Sequence, residues 1–181
     1  KIIQLDMDAT LIGQNRQADV PLVGNLACTF DLMLEEMKNQ GIALDWSVWR
    51  DELREVENAA EAKVQAALDS DEVPIDPQRM CREVRDWLET LGDPIVIGDG
   101  GDIVATAAKI IPVKGEGAWM DPGPLGTLGV GMPFALATQV AHPDRRVVIV
   151  YGDGSFGLNG FEFDTAVRHG LPIVGVLGND A

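Results

Sequence analysis

The second half of the chain alternates between short apolar segments and amphipathic ones. Apart from Arg146 at the start of the second, the apolar segments contain no charged position, and glycine or proline lies at their ends. They cover residues 94–98, 146–152 and 171–178. Such runs are typical of strands that are buried on both faces of a parallel sheet. Helical patterns cover residues 77–92, 128–141 and 160–169. This order predicts the α/β class, with an open, doubly wound parallel sheet.

The first half of the chain has a different texture. An apolar segment at residues 2–5 predicts a strand, and a helix is predicted from Leu26 to Met37, where apolar residues recur at helical spacing. Residues 38–76 are strongly charged and have only a thin apolar stripe, which predicts a linker containing a solvated helix. We therefore predict three parts, residues 1–37, 38–76 and 77–181.

Charge restricts the partners of the protein. Its formal net charge of -15 argues against nucleic acid or an anionic membrane, because both attract basic surfaces. The longest apolar tract, residues 125–141, is interrupted by glycine and proline and is too short to span a membrane. The N-terminus does not resemble a signal peptide, and the two cysteines, Cys28 and Cys81, have no metal-binding or redox spacing. We expect a cytoplasmic protein with reduced thiols.

Polar residues follow two of the predicted strands directly. Gly152-Asp153-Gly154-Ser155 comes after the strand that ends at Tyr151, and Asn179 follows the next strand, 26 positions after Asp153. A right-handed crossover would place these two strand ends side by side, where ligands bind in open α/β sheets. One carboxylate and one amide oxygen suit Mg²⁺ that also binds phosphate oxygens. Metal and backbone N–H groups would then hold a phosphate ligand despite the acidic side chains.

These motifs resemble those of the thiamine-diphosphate-dependent enzymes, in which Gly-Asp-Gly and a later Asn pair flank the cofactor. The segment GPLGTLGVGMPFALA at residues 123–137 is similar to the glycine-rich segment of that family. Residues 1–25 are similar to the closing βαβ piece of the middle domain in the acetolactate synthase-like group. Residues 1–37 would then end a middle domain, and residues 77–181 would form a diphosphate-binding domain that is incomplete at its C-terminus.

The resemblance also implies roles for individual residues. Asp153, Asn179 and the backbone carbonyl of Ala181 would bind Mg²⁺. The remaining residues would contact thiamine diphosphate; they are Gly100, Gly101, Asp102, Gly126, Leu128, Gly152, Gly154, Ser155 and Asn179. Leu128 would be the wedge that bends the cofactor, and the Gly126 carbonyl would accept a hydrogen bond from its pyrimidine amino group. The bend brings that amino nitrogen towards the thiazolium C2 proton.

Two departures from the family pattern are visible. Gly178 precedes Asn179 where the family often has a second Asn, although the metal ligand is the second member of the pair. The activating Glu of the family belongs to an N-terminal pyrimidine-binding domain, which we do not find, so no catalytic residue is assigned within this chain. We expect these 181 residues to be part of a longer enzyme.

A phosphatase is the alternative that the N-terminus raises. LDMDATLIG at residues 5–13 resembles the nucleophile loop of haloacid-dehalogenase-type phosphatases, with Asp6 as nucleophile and Asp8 as acid/base. In the thiamine-diphosphate family the same position is a turn between strand and loop, where aspartates cap the backbone. Between residues 13 and 97 the only lysines are Lys38 and Lys63, both in charged helical or linker sequence, so the lysine of a phosphatase is not evident.

Resemblance to two branches of the family leaves the reaction open. Residues 121–137 and the Gly-Asn-Asp ending resemble the 2-hydroxyacyl-CoA lyase and oxalyl-CoA decarboxylase branch, which implies cleavage of a 2-hydroxyacyl-CoA to formyl-CoA and a carbonyl compound. The middle-domain piece fits an acetolactate synthase-like carboligase or 2-oxo acid decarboxylase equally well. Either reading implies a small-molecule substrate, possibly a CoA thioester, and a homodimer or homotetramer of the full-length chain.

Overall fold

The structure is a computed structural model that describes residues 1–180. The chain divides into two compact units, residues 1–56 and 57–181. The helix α2 (Ser47–Leu68) contributes residues to both. The predicted division at residues 37 and 76 stays a prediction, because compactness alone does not assign these segments to domains of a longer protein.

Unit 1 contains a two-stranded parallel sheet and a helix. Strand β1 (Ile3–Asp6) pairs with β2 (Val20–Val23), and α1 (Leu26–Asn39) follows. Asn25 begins α1 because its side chain accepts a hydrogen bond from the Cys28 N–H at 3.2 Å. Residues 7–19 connect the strands through a short 3-10 turn at Ala9–Leu11, where a βαβ piece would have a helix. The βαβ order implied for this segment is therefore wrong in that detail.

Unit 2 is built on a four-stranded parallel sheet in the order β4-β3-β5-β6. Strand β3 (Ile95–Asp99) lies between β4 (Trp119–Met120) and β5 (Val147–Gly152), and β6 (Val174–Gly178) follows β5. Strand β3 and the first five residues of β5 are buried throughout, and the unbroken apolar pattern of residues 95–98 and 147–150 predicts this burial. Non-consecutive strands are neighbours, so the sheet contains crossovers.

Helices cover both faces of this sheet. On one face α3 (Pro77–Glu89) and α4 (Asp102–Ile110) pack against Val96, Val148 and Val150. On the other face α5 (Gly131–Ala141) and α7 (Phe163–Arg168) pack against alternate residues of the same strands, which are Ile95, Ile97, Val147, Ile149 and Tyr151. Two separate apolar cores therefore enclose one sheet, and the predicted doubly wound α/β class is confirmed.

The sequence patterns located most elements but not all their ends. The helix predicted at residues 128–141 begins at Gly131, and the one predicted at 77–92 ends at Glu89. Helix α4 and strand β4 were not predicted. The helix expected at 160–169 is preceded by α6 (Asp153–Asn159) and a 3-10 turn at Gly160–Glu162, so helical structure starts earlier than the glycine-rich sequence indicates.

Candidate functional site

The carboxyl ends of the three longest strands of the unit 2 sheet meet at one edge. The register pairs Asp99 of β3 with Tyr151 of β5 and Gly152 of β5 with Gly178 of β6. Asp153 and Asn179 are the next residues of their chains, so they leave neighbouring strand ends. The side-by-side placement of these two strand ends, inferred from a right-handed crossover, is confirmed.

Glycines allow the backbones to approach closely at this edge. A Cβ atom on Gly100 would lie 2.9 Å from the Gly152 backbone nitrogen and 3.2 Å from Cγ2 of Ile103 in the first turn of α4. Gly100 also has a φ of +153°, which disfavours other residues. A Cβ on Gly178 would meet the same Ile103 side chain at 3.1 Å. The glycines therefore form a shallow backbone surface that rests on Ile103.

The Gly-Asp-Gly-Ser segment opens helix α6. Gly152 is its N-cap and supplies no side-chain hydrogen bond, and the half-buried Asp153 occupies the first turn. Ser155 lies inside the helix, where we expected it to precede a helix. Its side chain is 1% exposed, and its Oγ has no hydrogen-bond partner among the described residues. A buried hydroxyl without a partner beside an uncapped helix start fits an anionic group such as a diphosphate.

Two of the three predicted metal ligands lie within the described residues. Asp153 and Asn179 share the strand edge described above, while Ala181 lies outside the described residues. Within residues 1–180 no group of three or more His, Cys, Asp or Glu side chains could hold a metal ion. A site with one carboxylate, one amide and phosphate oxygens is of a different kind, so the assigned ligand roles stay predictions.

The loop before α5 carries Gly126 and Leu128. Gly126 has a left-handed φ of +59° and follows a 3-10 turn at Gly123–Leu125. Leu128 is 46% exposed, which leaves its side chain accessible. Gly129 is packed against α6, because a Cβ there would lie 3.2 Å from Cδ1 of Leu158. The loop therefore lies between the sheet edge and α6, the position expected of a cofactor-contacting segment.

Asp99 is a residue of this edge that was not predicted. It is fully buried, and its Oδ1 and Oδ2 accept hydrogen bonds from the backbone N–H groups of Gly129 at 3.0 Å and Gly131 at 2.7 Å. Burial, and then the negative charge of Asp99, raise the pKa of the neighbouring Tyr151 phenol. Tyr151 is therefore neutral at physiological pH. The signal for Asp99 was its position at a strand end.

Gly101 and Asp102 begin α4 at the same edge. Gly101 is the N-cap and forms no side-chain hydrogen bond, and the exposed Asp102 is in the first turn. A carboxylate at this position stabilises the positive end of the helix dipole. No described hydrogen bond involves the Asp102 carboxylate, so its predicted contact with the cofactor stays a prediction.

The aspartates of the N-terminal segment form a capped turn. Oδ1 of Asp8 accepts hydrogen bonds from the Thr10 N–H at 2.8 Å and the Thr10 hydroxyl at 2.7 Å, and Oδ1 of Asp6 accepts from the Asp8 N–H at 2.9 Å. The hydroxyl bond first and the N–H bond second hold the pKa of Asp8 below its usual value. A lowered pKa is unsuited to the proton donation that a phosphatase requires of this residue.

Comparison with known proteins gives the class of this chain. Residues 99–181 match the family described as the thiamine pyrophosphate enzyme, C-terminal TPP binding domain. The chain belongs to the thiamine pyrophosphate (thiamine diphosphate) enzymes, as the motifs indicated. The matched region contains the whole strand edge described above, from Asp99 to the end of the chain. Asp6 and Asp8, on which the phosphatase alternative depends, lie outside the matched residues.

Individual relatives fall into two groups. The chain is 40% identical over 153 residues to 2-hydroxyacyl-CoA lyase 2 of Bos taurus, which covers 82% of this chain and 23% of the relative. It is 38% identical over 159 residues to a probable acetolactate synthase of Mycobacterium bovis, covering 88% and 28%. It is 51% identical over 89 residues to 2-hydroxyacyl-CoA lyase 2 of Caenorhabditis elegans, which covers 49% of this chain and 14% of the relative. The matched residues thus span between 14% and 28% of the length of these relatives.

The helices of the described residues were compared with the requirements of a membrane-spanning segment. No helix within residues 1–180 combines the length and the apolar composition needed to cross a bilayer.

Proposed function

We propose that the protein containing this chain is a thiamine-diphosphate- and Mg²⁺-dependent lyase. The reaction is cleavage of a 2-hydroxyacyl-CoA between the carbonyl carbon and the carbon bearing the hydroxyl, giving formyl-CoA and a carbonyl compound. The observation that carries the proposal is the convergence of Gly100, Gly152 and Gly178 at one sheet edge, directly beside Asp153 and Asn179. This edge offers backbone groups, one carboxylate and one side-chain amide as ligands for a metal and a diphosphate.

Each residue at the edge has a role that its surroundings support. Asp153 and Asn179 hold Mg²⁺, and the N–H groups of Gly154 and Ser155 donate to the diphosphate. The metal site has one carboxylate ligand and one neutral amide ligand. A second acidic ligand would increase the electrostatic repulsion between the polyanionic cofactor and a protein of net charge -15. The uncapped start of α6 supplies donors without a positive side chain.

The second half of the cofactor is held by the loop before α5. Leu128 provides an apolar contact, and the Gly126 carbonyl accepts a hydrogen bond from the pyrimidine amino group. Thiamine diphosphate, when bound, supplies the nucleophilic carbon and the electron sink for breaking the carbon–carbon bond. The residues of this chain bind and orient it, and the side chain that activates it comes from another part of the full-length protein.

A second function is supported by the other group of relatives. The 38% identity to a probable acetolactate synthase extends over 88% of the chain, so an acetolactate synthase-like carboligase or 2-oxo acid decarboxylase is the alternative. We prefer the lyase because residues 121–137 resemble that branch. We further propose a cytoplasmic homodimer or homotetramer with a small-molecule substrate.

Substrate discrimination in the full-length enzyme tests the choice. We would incubate the enzyme with thiamine diphosphate, Mg²⁺ and either a 2-hydroxyacyl-CoA or pyruvate, and measure formyl-CoA, acetolactate and carbon dioxide. The lyase proposal expects formyl-CoA from the first substrate and at least tenfold less product from pyruvate. Acetolactate or carbon dioxide from pyruvate, with no formyl-CoA, would establish the alternative. Isothermal titration with the same substrates separates binding from turnover.

A further inference from the structure

The buried carboxylate of Asp99 requires an explanation beyond its position in the sheet. Within residues 1–180 it makes no ion pair, and both of its described hydrogen bonds come from backbone N–H groups. Burial of an unpaired carboxylate is costly unless hydrogen bonds and dipoles replace its water shell. Gly131 is the first residue of the eleven-residue helix α5, so the helix dipole contributes to that replacement.

The two donors belong to a segment far away in sequence. Gly129 and Gly131 lie 30 and 32 positions after Asp99, whereas an ordinary helix cap is supplied by a residue next to the helix. The local candidate, Val130, provides no side-chain hydrogen bond. Asp99 therefore ties the end of β3 to the loop that precedes α5. A Cβ on Gly131 would lie 2.9 Å from Oδ2 of Asp99, so the glycine permits the close approach.

The same loop is held on its other side by α6. The Asn159 side-chain amide donates a hydrogen bond to the Gly129 carbonyl. Gly129 is thus bound through its N–H by Asp99 and through its carbonyl by Asn159. Leu128 immediately precedes this doubly held residue, and Gly126 is three residues before it.

Asp99 is also adjacent to the glycine surface of the strand edge. Gly100 follows it directly and lies against the backbone of Gly152, which Asp153 and Gly154 follow in the chain. A single strand end therefore carries both the contact surface for a diphosphate and the attachment of the Leu128 loop. This arrangement fixes the distance between the glycine surface and the loop that carries Leu128.

We propose that Asp99 is a positioning residue that, together with Asn159, holds the loop of residues 126–130 in place. The loop is then kept at the distance from the glycine surface of the strand edge that the bent cofactor requires. The proposal rests on the proposed function, because it assigns Leu128 and Gly126 to the pyrimidine half of thiamine diphosphate. Asp99 itself does not contact the cofactor. It acts through Gly129 and Gly131.

The test compares Asp99→Asn with Asp121→Asn in the full-length protein. Asp121 is a matched control because its Oδ1 accepts a hydrogen bond from the Gly123 N–H at 2.7 Å in the same connection, but it is exposed. Hydrogen exchange of residues 126–131 is measured without cofactor. Binding of thiamine diphosphate and of inorganic pyrophosphate is then measured, each with Mg²⁺, by titration calorimetry.

We expect Asp99→Asn to increase exchange at residues 126–131 and to weaken thiamine diphosphate at least tenfold, while pyrophosphate affinity changes less than twofold. Asp121→Asn should leave both affinities within twofold of wild type. A helix cap without a positioning role would weaken neither ligand or both equally, and either result overturns the proposal. So does unchanged exchange at residues 126–131.

A second variant keeps the test decisive if Asp99→Asn does not fold. Asn159→Ala removes only the donor to Gly129 and should show the same split between the two ligands at a smaller size, about threefold. Equal loss for both ligands contradicts this positioning role. If the wild-type protein binds pyrophosphate but not thiamine diphosphate, the proposed function fails, whereas the exchange measurement still decides whether Asp99 holds the loop.

Discussion

The two units use similar elements but bury them very differently. Both contain parallel strands and amphipathic helices, yet no residue within 1–56 is buried, whereas unit 2 encloses two apolar cores. In α1 the side chains of Phe30 and Leu34 remain 52% and 55% exposed, although their spacing is that of a core-facing helix. Amphipathic pattern therefore predicts an element, and only a second layer converts it into a core.

The difference places the site in unit 2 for a physical reason. A strand edge can hold backbone groups at fixed separations only when the strands themselves are fixed, and β3 and β5 are almost completely buried on both faces. In unit 1 the corresponding strand end, at Asp6, leads into an exposed turn whose side chains bond to each other. An aspartate-containing motif after a strand therefore forms a self-contained turn in unit 1, whereas in unit 2 it lies at a rigid sheet edge.

The largest expected effect is on stability and separates the units directly. Ile149 is fully buried in β5, and Ile149→Ala should lower the free energy of unfolding of unit 2 by about 2–5 kcal/mol, through lost burial and the cavity left behind. Ile3→Ala in β1, where the side chain is 61% exposed within these 181 residues, should cost the same 181-residue chain less than about 0.5 kcal/mol. Native-state hydrogen exchange of each strand's amides measures both. Equal losses would contradict the contrast between the units.

A smaller loss is expected where backbone approach is tight. A Cβ on Gly131 would lie 2.6 Å from Cε1 of the buried Tyr151, so Gly131→Ala should cost about 1–3 kcal/mol through overpacking. The matched control is Gly157→Ala in α6, where a Cβ would meet nothing within 4 Å. That change should be neutral or stabilise by up to about 1 kcal/mol. Urea unfolding of the two variants tests the difference, and equal midpoints would disprove the packing argument.

Sequence patterns predicted the buried strands because an unbroken apolar run has few other uses. They missed α4, since its first turn follows Gly-Asp-Gly-Gly, which has low helix propensity, and β4, since two residues show no period. The neighbouring ends of β5 and β6 were predictable from crossover handedness. The hydrogen bonds of Asp99 were not predictable, because its partners are 30 and 32 positions away and only the folded loop brings them to it.

Thiol reactivity should differ between the units. Burial raises the pKa of the Cys81 thiol in α3 to about 11, whereas Cys28 in α1 is exposed. Because the thiolate is the reactive form, Cys81 stays protonated and unreactive at pH 8 and gains reactivity only as the pH approaches its raised pKa. Alkylation followed by peptide mapping should label Cys28 at least tenfold faster. Comparable rates at pH 8 would show that unit 2 opens readily.

The smallest expected effect concerns the N-terminal turn. Asp6→Asn keeps an oxygen that can accept the Asp8 N–H, so activity of the full-length enzyme should remain within about twofold of wild type, as expected of a surface substitution. Steady-state rates and circular dichroism of the variant check this. Loss of activity without loss of folding would mean that Asp6 takes part in chemistry.

We propose that a metal ion joins Asp153 to the diphosphate of the bound cofactor. Without Mg²⁺ the Asp153 carboxylate would repel phosphate oxygens, and with it the same carboxylate becomes an anchor. The direct measurement is titration of thiamine diphosphate into full-length wild type, Asp153→Ala and the control Asp164→Ala, whose exposed carboxylate pairs with Arg168, each with Mg²⁺ and with EDTA. We predict that Asp153→Ala and EDTA each weaken binding more than tenfold, while Asp164→Ala has no effect. Tighter binding by Asp153→Ala, or wild-type binding that is indifferent to EDTA after complete metal removal, would contradict the account.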